Sequence, residues 1–247
     1  MKYGILADIH GNLEAFEAAL ARLEKEGAEE YLFCGDLIGY GPDPLACVEL
    51  YLRLAREGKI RGVLGNHDGI IVHPELRAYF NLDALEALDW SLDRLDETCL
   101  RCVSFLPEMI SGRSFTVVHG TPRDPLKEYF INSLQYRLLY EAWLGQILFV
   151  GHSHMPFCMK GSETTCQLHM PHEEETFSLD PLFRYVINPG SVGKPRDNDV
   201  RASFGLWDSK ENKFSFLREK YNCELTIKKM LDVGLPDLLV DSLSLGI

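Results

Sequence analysis

The chain reads as an α/β protein with largely parallel strands. Short apolar runs alternate with amphipathic helical stretches, and five of the runs end in aspartate, asparagine or histidine next to glycine or a strand tip. With 247 residues, 46% of them hydrophobic, there is enough apolar material for the core of one large α/β domain spanning 1–247.

The first run, Tyr3–Ala7, leads into Asp8-Ile9-His10. A helix is expected over Leu13–Leu23, where Leu13, Phe16, Leu20 and Leu23 share a face, Asn12 stands at the start and Gly27 beyond the end. Tyr31–Cys34 runs into Gly35-Asp36, and Pro44 opens a second helix. Ile60–Leu64 ends in Gly65-Asn66-His67-Asp68, and Leu85, Leu88, Leu92 and Leu95 mark a further helix within 83–97. Phe115–Val118 then runs into His119-Gly120, and Ile147–Val150 into Gly151-His152-Ser153-His154. Such runs of Val, Ile, Leu, Phe and Tyr have the composition of buried strands.

The C-terminal part carries antiparallel signals. Phe183–Ile187 precedes the tight turn Asn188-Pro189-Gly190-Ser191, which either reaches the rim of a site or is a plain structural turn. Ala202–Trp207 and Lys213–Leu217 flank the polar turn Asp208–Asn212 as a hairpin. A short helix near Leu225–Leu231 and an apolar tail that packs or dimerises complete the domain, so residues from about 200 to 247 belong to it. Glu173-Glu174-Glu175 reads as a solvated loop.

In largely parallel sheets the loops beyond the carboxyl ends of the strands gather on one edge and carry the ligand site. That geometry would collect Asp8, His10, Asp36, Asn66, His119, His152 and His154 in one cleft. Imidazole and carboxylate suit Mn, Fe, Co, Ni or Zn, and the lack of cysteine in all five motifs disfavours a structural zinc site. Seven donors exceed the needs of one ion. If Asp36 bridges, they divide into two sets of four, which fits two metals about 3.5–4 Å apart clamping a phosphoryl group. Five of the eight histidines (10, 67, 119, 152 and 154) fall in these junctions, whereas His73, His169 and His172 have no such context.

Charge and cysteine usage narrow the class. A formal net charge of −12 argues against a broad nucleic-acid-binding face. No apolar segment approaches the ~20 residues of a membrane span, and the opening run is too short for a signal peptide. The seven cysteines are odd in number and scattered, as expected of reduced thiols in a cytoplasmic protein. Cys99 and Cys102 form a lone C-x-x-C in a helical stretch and read as packing residues.

The order D-x-H, G-D, G-N-H-D, H-G, G-H-x-H across residues 8–154 resembles the calcineurin-like metallophosphoesterases. The stretches "YLFCGDLIGYGPDP" and "NPGSVGKPRD" are similar to the small prokaryotic phosphoesterase branch. The resemblance implies a sandwich of two mixed sheets flanked by helices, adding a second sheet that the strand-end argument does not require. It assigns one divalent ion to Asp8, His10, Asp36 and His154 and a second to Asp36, Asn66, His119 and His152, with manganese first among the candidate metals. His67 would stand beside the phosphate, stabilising the transition state or protonating the leaving oxygen, with Asp68 fixing its tautomer.

On this reading the chain hydrolyses phosphodiester bonds of a small, nucleotide-like substrate, with a metal-bound water as the nucleophile. Phosphomonoester or dinucleoside polyphosphate hydrolysis on the same site is the alternative. An amide- or lactam-cleaving metallohydrolase is disfavoured by G-N-H-D and by the lack of an H-x-H-x-D-H run. An inactive protein-interaction scaffold is the rival of a different class, although no ligand is missing from the motifs. Asn12 and Arg123 lie close enough to their motifs to contact a phosphate; the competing roles are a helix cap for Asn12 and an ion pair with Asp124 or Glu128 for Arg123. Residues Gly69–Asn81 would cover the cleft or pack on the sheet. Oligomeric state is open, a dimer included.

Overall fold

A computed structural model describes residues 1–247. In chain order it contains β1 (Lys2–Leu6), α1 (Leu13–Lys25), β2 (Glu30–Phe33), α2 (Pro44–Arg56), β3 (Ile60–Gly62) and the one-turn helix α3 (Asn66–Gly69). A 3₁₀ segment, Pro74–Tyr79, leads to α4 (Leu82–Leu92), α5 (Glu97–Ser104), β4 (Met109–Ser111), β5 (Phe115–Val118), α6 (Ser133–Leu138) and β6 (Ile147–Phe149). The remainder is mostly antiparallel: β7 (Phe157–Gly161), β8 (Cys166–His169), β9 (Glu175–Ser178), β10 (Arg184–Asn188), β11 (Ala202–Asp208) and β12 (Lys213–Glu219), then α7 (Cys223–Asp232) and α8 (Asp237–Leu245).

The strands form two six-stranded mixed sheets, ordered β3-β2-β1-β11-β12-β9 and β4-β5-β6-β10-β7-β8. Parallel pairing is confined to β1-β2-β3 and β5-β6-β10, and the other pairs are antiparallel. The sheets face each other over Ile5, Leu32, Val63, Val117, Ile147, Phe149, Ile187, Trp207 and Phe214. Each large apolar side chain buried there stabilises the sandwich by about 2–3 kcal/mol. A larger core lies between the first sheet and helices α1, α2, α4 and α5, built on Phe16, Leu23, Phe33, Tyr51, Leu54 and Leu88.

Local sequence explains the element ends. The Asn12 side chain accepts from Ala15 N at 3.1 Å and caps α1. The helix expected within 83–97 ends at Leu92, with Leu95 beyond it, and Asp96 accepts from Cys99 N at 2.7 Å to start a new helix, α5. Cys99 and Cys102 sit in α5 as free thiols, with Cys99 buried in the core.

One expectation for the C-terminal half changes. Glu173–Glu175 is not simply a solvated loop. Glu174 accepts from Arg218 N at 3.0 Å and pairs with Arg22, and Glu175 opens β9. A four-residue polar edge strand has too few apolar positions to stand out in sequence. The apolar tail packs within the chain: α8 places Leu239, Val240 and Leu243 against Met230 of α7 and Ala87 of α4. No helix is long and apolar enough to cross a membrane.

Candidate metal centre

The carboxyl ends of β1, β2, β3, β5 and β6 converge from both sheets onto one edge of the sandwich. Hydrogen bonds between the loops hold them there: Asp8 N donates to Gly35 O at 3.0 Å, His10 N to Asp36 O at 3.0 Å, and Gly151 N to His119 O at 2.9 Å. Gly65 is required by the approach, since a Cβ there would strike the carboxylate and backbone of Asp36. Asp8, His10, Asp36, His152 and His154 all adopt positive φ, between 49° and 67°. Five non-glycine residues in the left-handed region together cost roughly 5 kcal/mol, a strain sustained by the surrounding hydrogen bonds and concentrated on donor-bearing residues.

The donors fall into two groups. The inner group is Asp8, His10, Asp36 and His154; the outer is Asp36, His119 and His152; within each group the ligand atoms lie within 4.8 Å of one another. Asn66 joins the outer group, its Oδ1 3.0 Å from His119 Nε2. Asp36 belongs to both, with Oδ2 3.5 Å from His10 Nε2 and 3.3 Å from His119 Nε2.

The donor chemistry fits divalent ions. His10, His119 and His154 each turn Nδ1 to a backbone carbonyl, those of Ile38 (3.0 Å), Cys34 (2.8 Å) and Lys194 (2.6 Å). Donating from Nδ1 directs Nε2 of each ring into the site, the arrangement that orients metal-binding imidazoles. Ring nitrogens consequently face each other at 3.1 Å in the pairs His10–His154 and His119–His152. Asp8 Oδ2 is buried and has no hydrogen-bond partner, so it too is free to bind a cation.

Electrostatics reinforce the pattern. Burial pushes Asp8 up to about 7, against the pull of His119. Burial opposes ionisation of Asp36 as well, but His119, His67 and His10 around it hold its carboxyl well below the usual range. His119 is disfavoured by burial yet lifted to about 9 by Asp36 and Asp8, while burial lowers His10 and His154 far below the ordinary imidazole value. Such opposed shifts in one cluster are characteristic of functional sites.

The cleft over the donors has a volume of about 170 Å³ and is lined by Asn66, His67, Tyr40, Phe80, Tyr129 and Arg196, among others. His67 faces it, with its backbone N–H on Asp36 Oδ1 at 2.9 Å and its ring among Tyr40, His10 and Phe80. Burial lowers His67 to about 4, with Asp36 opposing, so its imidazole is uncharged at neutral pH.

Asp68, Asn12 and Arg123 are all engaged within the protein. Asp68 does not partner His67: its carboxylate accepts the backbone N–H groups of Asp36, Leu37, Ile38 and Gly65 at 2.9–3.2 Å, and His67 Nδ1 has no partner. Asp68 therefore organises the Gly35-Asp36 loop. Asn12 is used up away from the cleft, with Oδ1 capping α1 and Nδ2 donating to Gly193 O at 2.9 Å and to Tyr221. Arg123 folds onto Glu128 on the surface. Both residues thus make the contacts of their competing roles, a helix cap and a surface ion pair. Of residues 69–81, Tyr79, Phe80 and Asn81 line the cleft, and Ile70 and Leu76 pack in the core.

The turn at Asn188–Ser191 proves to be a brace. Asn188 Nδ2 donates to Gly151 O (2.6 Å), Ser191 Oγ and Gly193 N donate to Asp8 O (2.8 and 2.9 Å), and Arg196 N donates to His154 O (3.3 Å). It thereby ties the first motif to the last. Arg196 and Tyr40, both in the cleft, lie within the stretches "NPGSVGKPRD" and "YLFCGDLIGYGPDP", and neither carries a metal-ligand signal.

Two six-stranded sheets with a His/Asp cluster across their joined edge define a phosphoesterase-type fold and site. A family model for the calcineurin-like phosphoesterase superfamily domain matches residues 1–212. The chain belongs to that superfamily. It is similar over its full length to the crystal structure of a metallophosphoesterase from Sphaerobacter thermophilus, with 33% identity, both chains fully covered and a TM-score of 0.87. An uncharacterized protein of Methanocaldococcus jannaschii is 33% identical over 98% of this chain and 97% of its own. A hypothetical protein of Pyrococcus horikoshii, 22% identical with a TM-score of 0.79, covers 98% of this chain and 97% of its own and shares the fold.

Proposed function

We propose that the protein is a dinuclear metal-dependent phosphodiesterase acting on a small, nucleotide-like substrate, with manganese as the favoured metal. The observation that carries this reading is the shared Asp36 carboxylate, whose Oδ2 stands between the two histidine-rich donor groups at 3.5 and 3.3 Å from their nearest nitrogens.

Bound divalent cations would supply charge neutralisation for the phosphoryl oxygens and an activated water. The chain's own groups do the rest. Asp8, His10, Asp36 and His154 would hold one ion, and Asp36, Asn66, His119 and His152 the other. His67, uncharged and facing the cleft, donates a hydrogen bond to a phosphoryl or leaving-group oxygen. Tyr79, Phe80 and Tyr129 give the rim an aromatic surface that suits a substrate with an organic group on each side of phosphorus.

The test is hydrolysis of bis-p-nitrophenyl phosphate and p-nitrophenyl phosphate by metal-stripped protein after addition of Mn, Ni, Co, Zn or Mg. Metal-dependent diester cleavage that disappears in Asp36→Asn is the expected outcome. Cleavage of the monoester alone would make it a phosphatase, and no turnover with any metal would favour a scaffold.

A further inference from the structure

Most arginines near carboxylates in this acidic chain are already engaged. Arg22, Arg61, Arg77, Arg123, Arg201 and Arg218 each lie on an aspartate or glutamate. The guanidinium of Arg184 is taken up by the carbonyls of Tyr140, Trp143 and Gly145. Arg196 differs. It lines the metal cleft, half-buried, and its guanidinium has a single protein partner, the Tyr40 hydroxyl at 3.4 Å from Nη2. The neighbouring acid Asp197 is held by Arg218, and the neighbouring cation Lys194 spends its ammonium on Ser242 Oγ (2.8 Å) and Ile247 O (3.1 Å). One fork of donors is thus left pointing at the donor cluster.

Its position is fixed from both sides. The Arg196 backbone N–H is on His154 O at 3.3 Å, so the residue moves with a candidate metal ligand. Tyr40 is wedged between His10 and His67, with ring centroids 4.6 Å from each, which fixes its hydroxyl. A planar guanidinium with free donors matches the spacing of oxygens on a tetrahedral oxyanion, which a lysine ammonium does not.

We propose that Arg196, with the Tyr40 hydroxyl beside it, is the substrate-binding pair that grips a non-bridging phosphoryl oxygen. The assignment rests on reading the cleft as a phosphoester site. Arg196 supplies the positive charge that the protein itself brings to the bound anion, and Tyr40 supplies a neutral donor that sets its orientation.

Inorganic phosphate is the probe, titrated calorimetrically into manganese-loaded protein, with manganese affinity and melting temperature measured on every variant. Arg196→Met should weaken phosphate by about tenfold to a hundredfold while manganese affinity stays within twofold or so of wild type. Arg196→Lys should recover part of that loss, restoring charge without the fork. Tyr40→Phe should cost roughly threefold. Should Arg196→Met fail to fold, Arg196→Lys and Arg196→Gln make the same comparison. Unchanged phosphate affinity in folded Arg196→Met overturns the proposal, and so does a wild-type protein that binds no phosphate. Loss of manganese from Arg196→Met also overturns it, because Arg196 would then be supporting His154 alone. Phosphate binding that depends on Arg196 in a protein that cleaves no ester supports this pair while removing the esterase reading.

Discussion

The two donor groups that share Asp36 both reach the cleft, the one holding Asp8 and His10 through His154 and the one holding His119 through His152 and Asn66, but their imidazoles are held differently. In the inner group both imidazoles are locked through Nδ1 by carbonyls at 3.0 and 2.6 Å. In the outer group His119 is locked in the same way, but His152 is reversed, turning Nδ1 inward with Nε2 3.4 Å from Lys127 O. Its support is the face of Tyr129, stacked at 3.8 Å and 7°, a ring that is itself 42% exposed. Backbone carbonyls cannot drift without unfolding a loop, while an exposed ring can. On the proposed dinuclear reading, an ion in the inner group should be retained more tightly and one in the outer group should exchange more freely.

Removing the shared ligand is the most severe way to break the contrast. Asp36→Asn should strip both ions, seen as metal content after dialysis, and lower turnover on the order of a thousandfold. Retention of two ions would mean that Asp36 does not bridge. Next come single ligands: His152→Ala should keep one ion at near wild-type affinity, and His154→Ala one ion held roughly a hundredfold more weakly. Equal residual affinities, measured by titration, would erase the distinction.

Proton release sharpens the picture further. His119 has its metal-free value raised from 6.5 to about 9, so it carries a proton at neutral pH that metal must displace. Affinity of the outer group should therefore rise with pH, by about tenfold per unit between pH 7 and 9, and level off above. Calorimetry in buffers of different ionisation enthalpy would count the proton, and a flat profile would contradict it. The smallest effect is expected from Tyr129→Leu, roughly a fivefold weakening of the outer ion with the inner ion unchanged.

Much of the centre could be read in advance because each motif is contiguous. Asp8 and His10, Asn66 and His67, and His152 and His154 are neighbours in the chain, and a strand end needs only a few residues to announce itself. The β5 run, Phe115–Val118, coincides with its expected bounds, and the first two strands each start and end one residue earlier than expected. Adjacency is a poor guide for Asp68. Adjacency to His67 suggested a contact, but the carboxylate turns to amides 30 to 32 residues earlier in the chain. Asn188, Ser191 and Gly193 carry no chemistry that marks them as braces; their value lies in atoms of Asp8 and Gly151 that only the fold brings near.

The sequence by itself settled the α/β class, the five donor-bearing strand ends and the family resemblance, because hydrophobic pattern and turn chemistry act over a few residues. The tertiary structure alone decided which nitrogen each imidazole presents and that Arg196 is left without a carboxylate in the cleft. Those outcomes depend on pairs such as His10 and His154, 144 residues apart. Bringing such pairs within 3.1 Å requires the two sheets to pack, and local pattern contains no record of that packing.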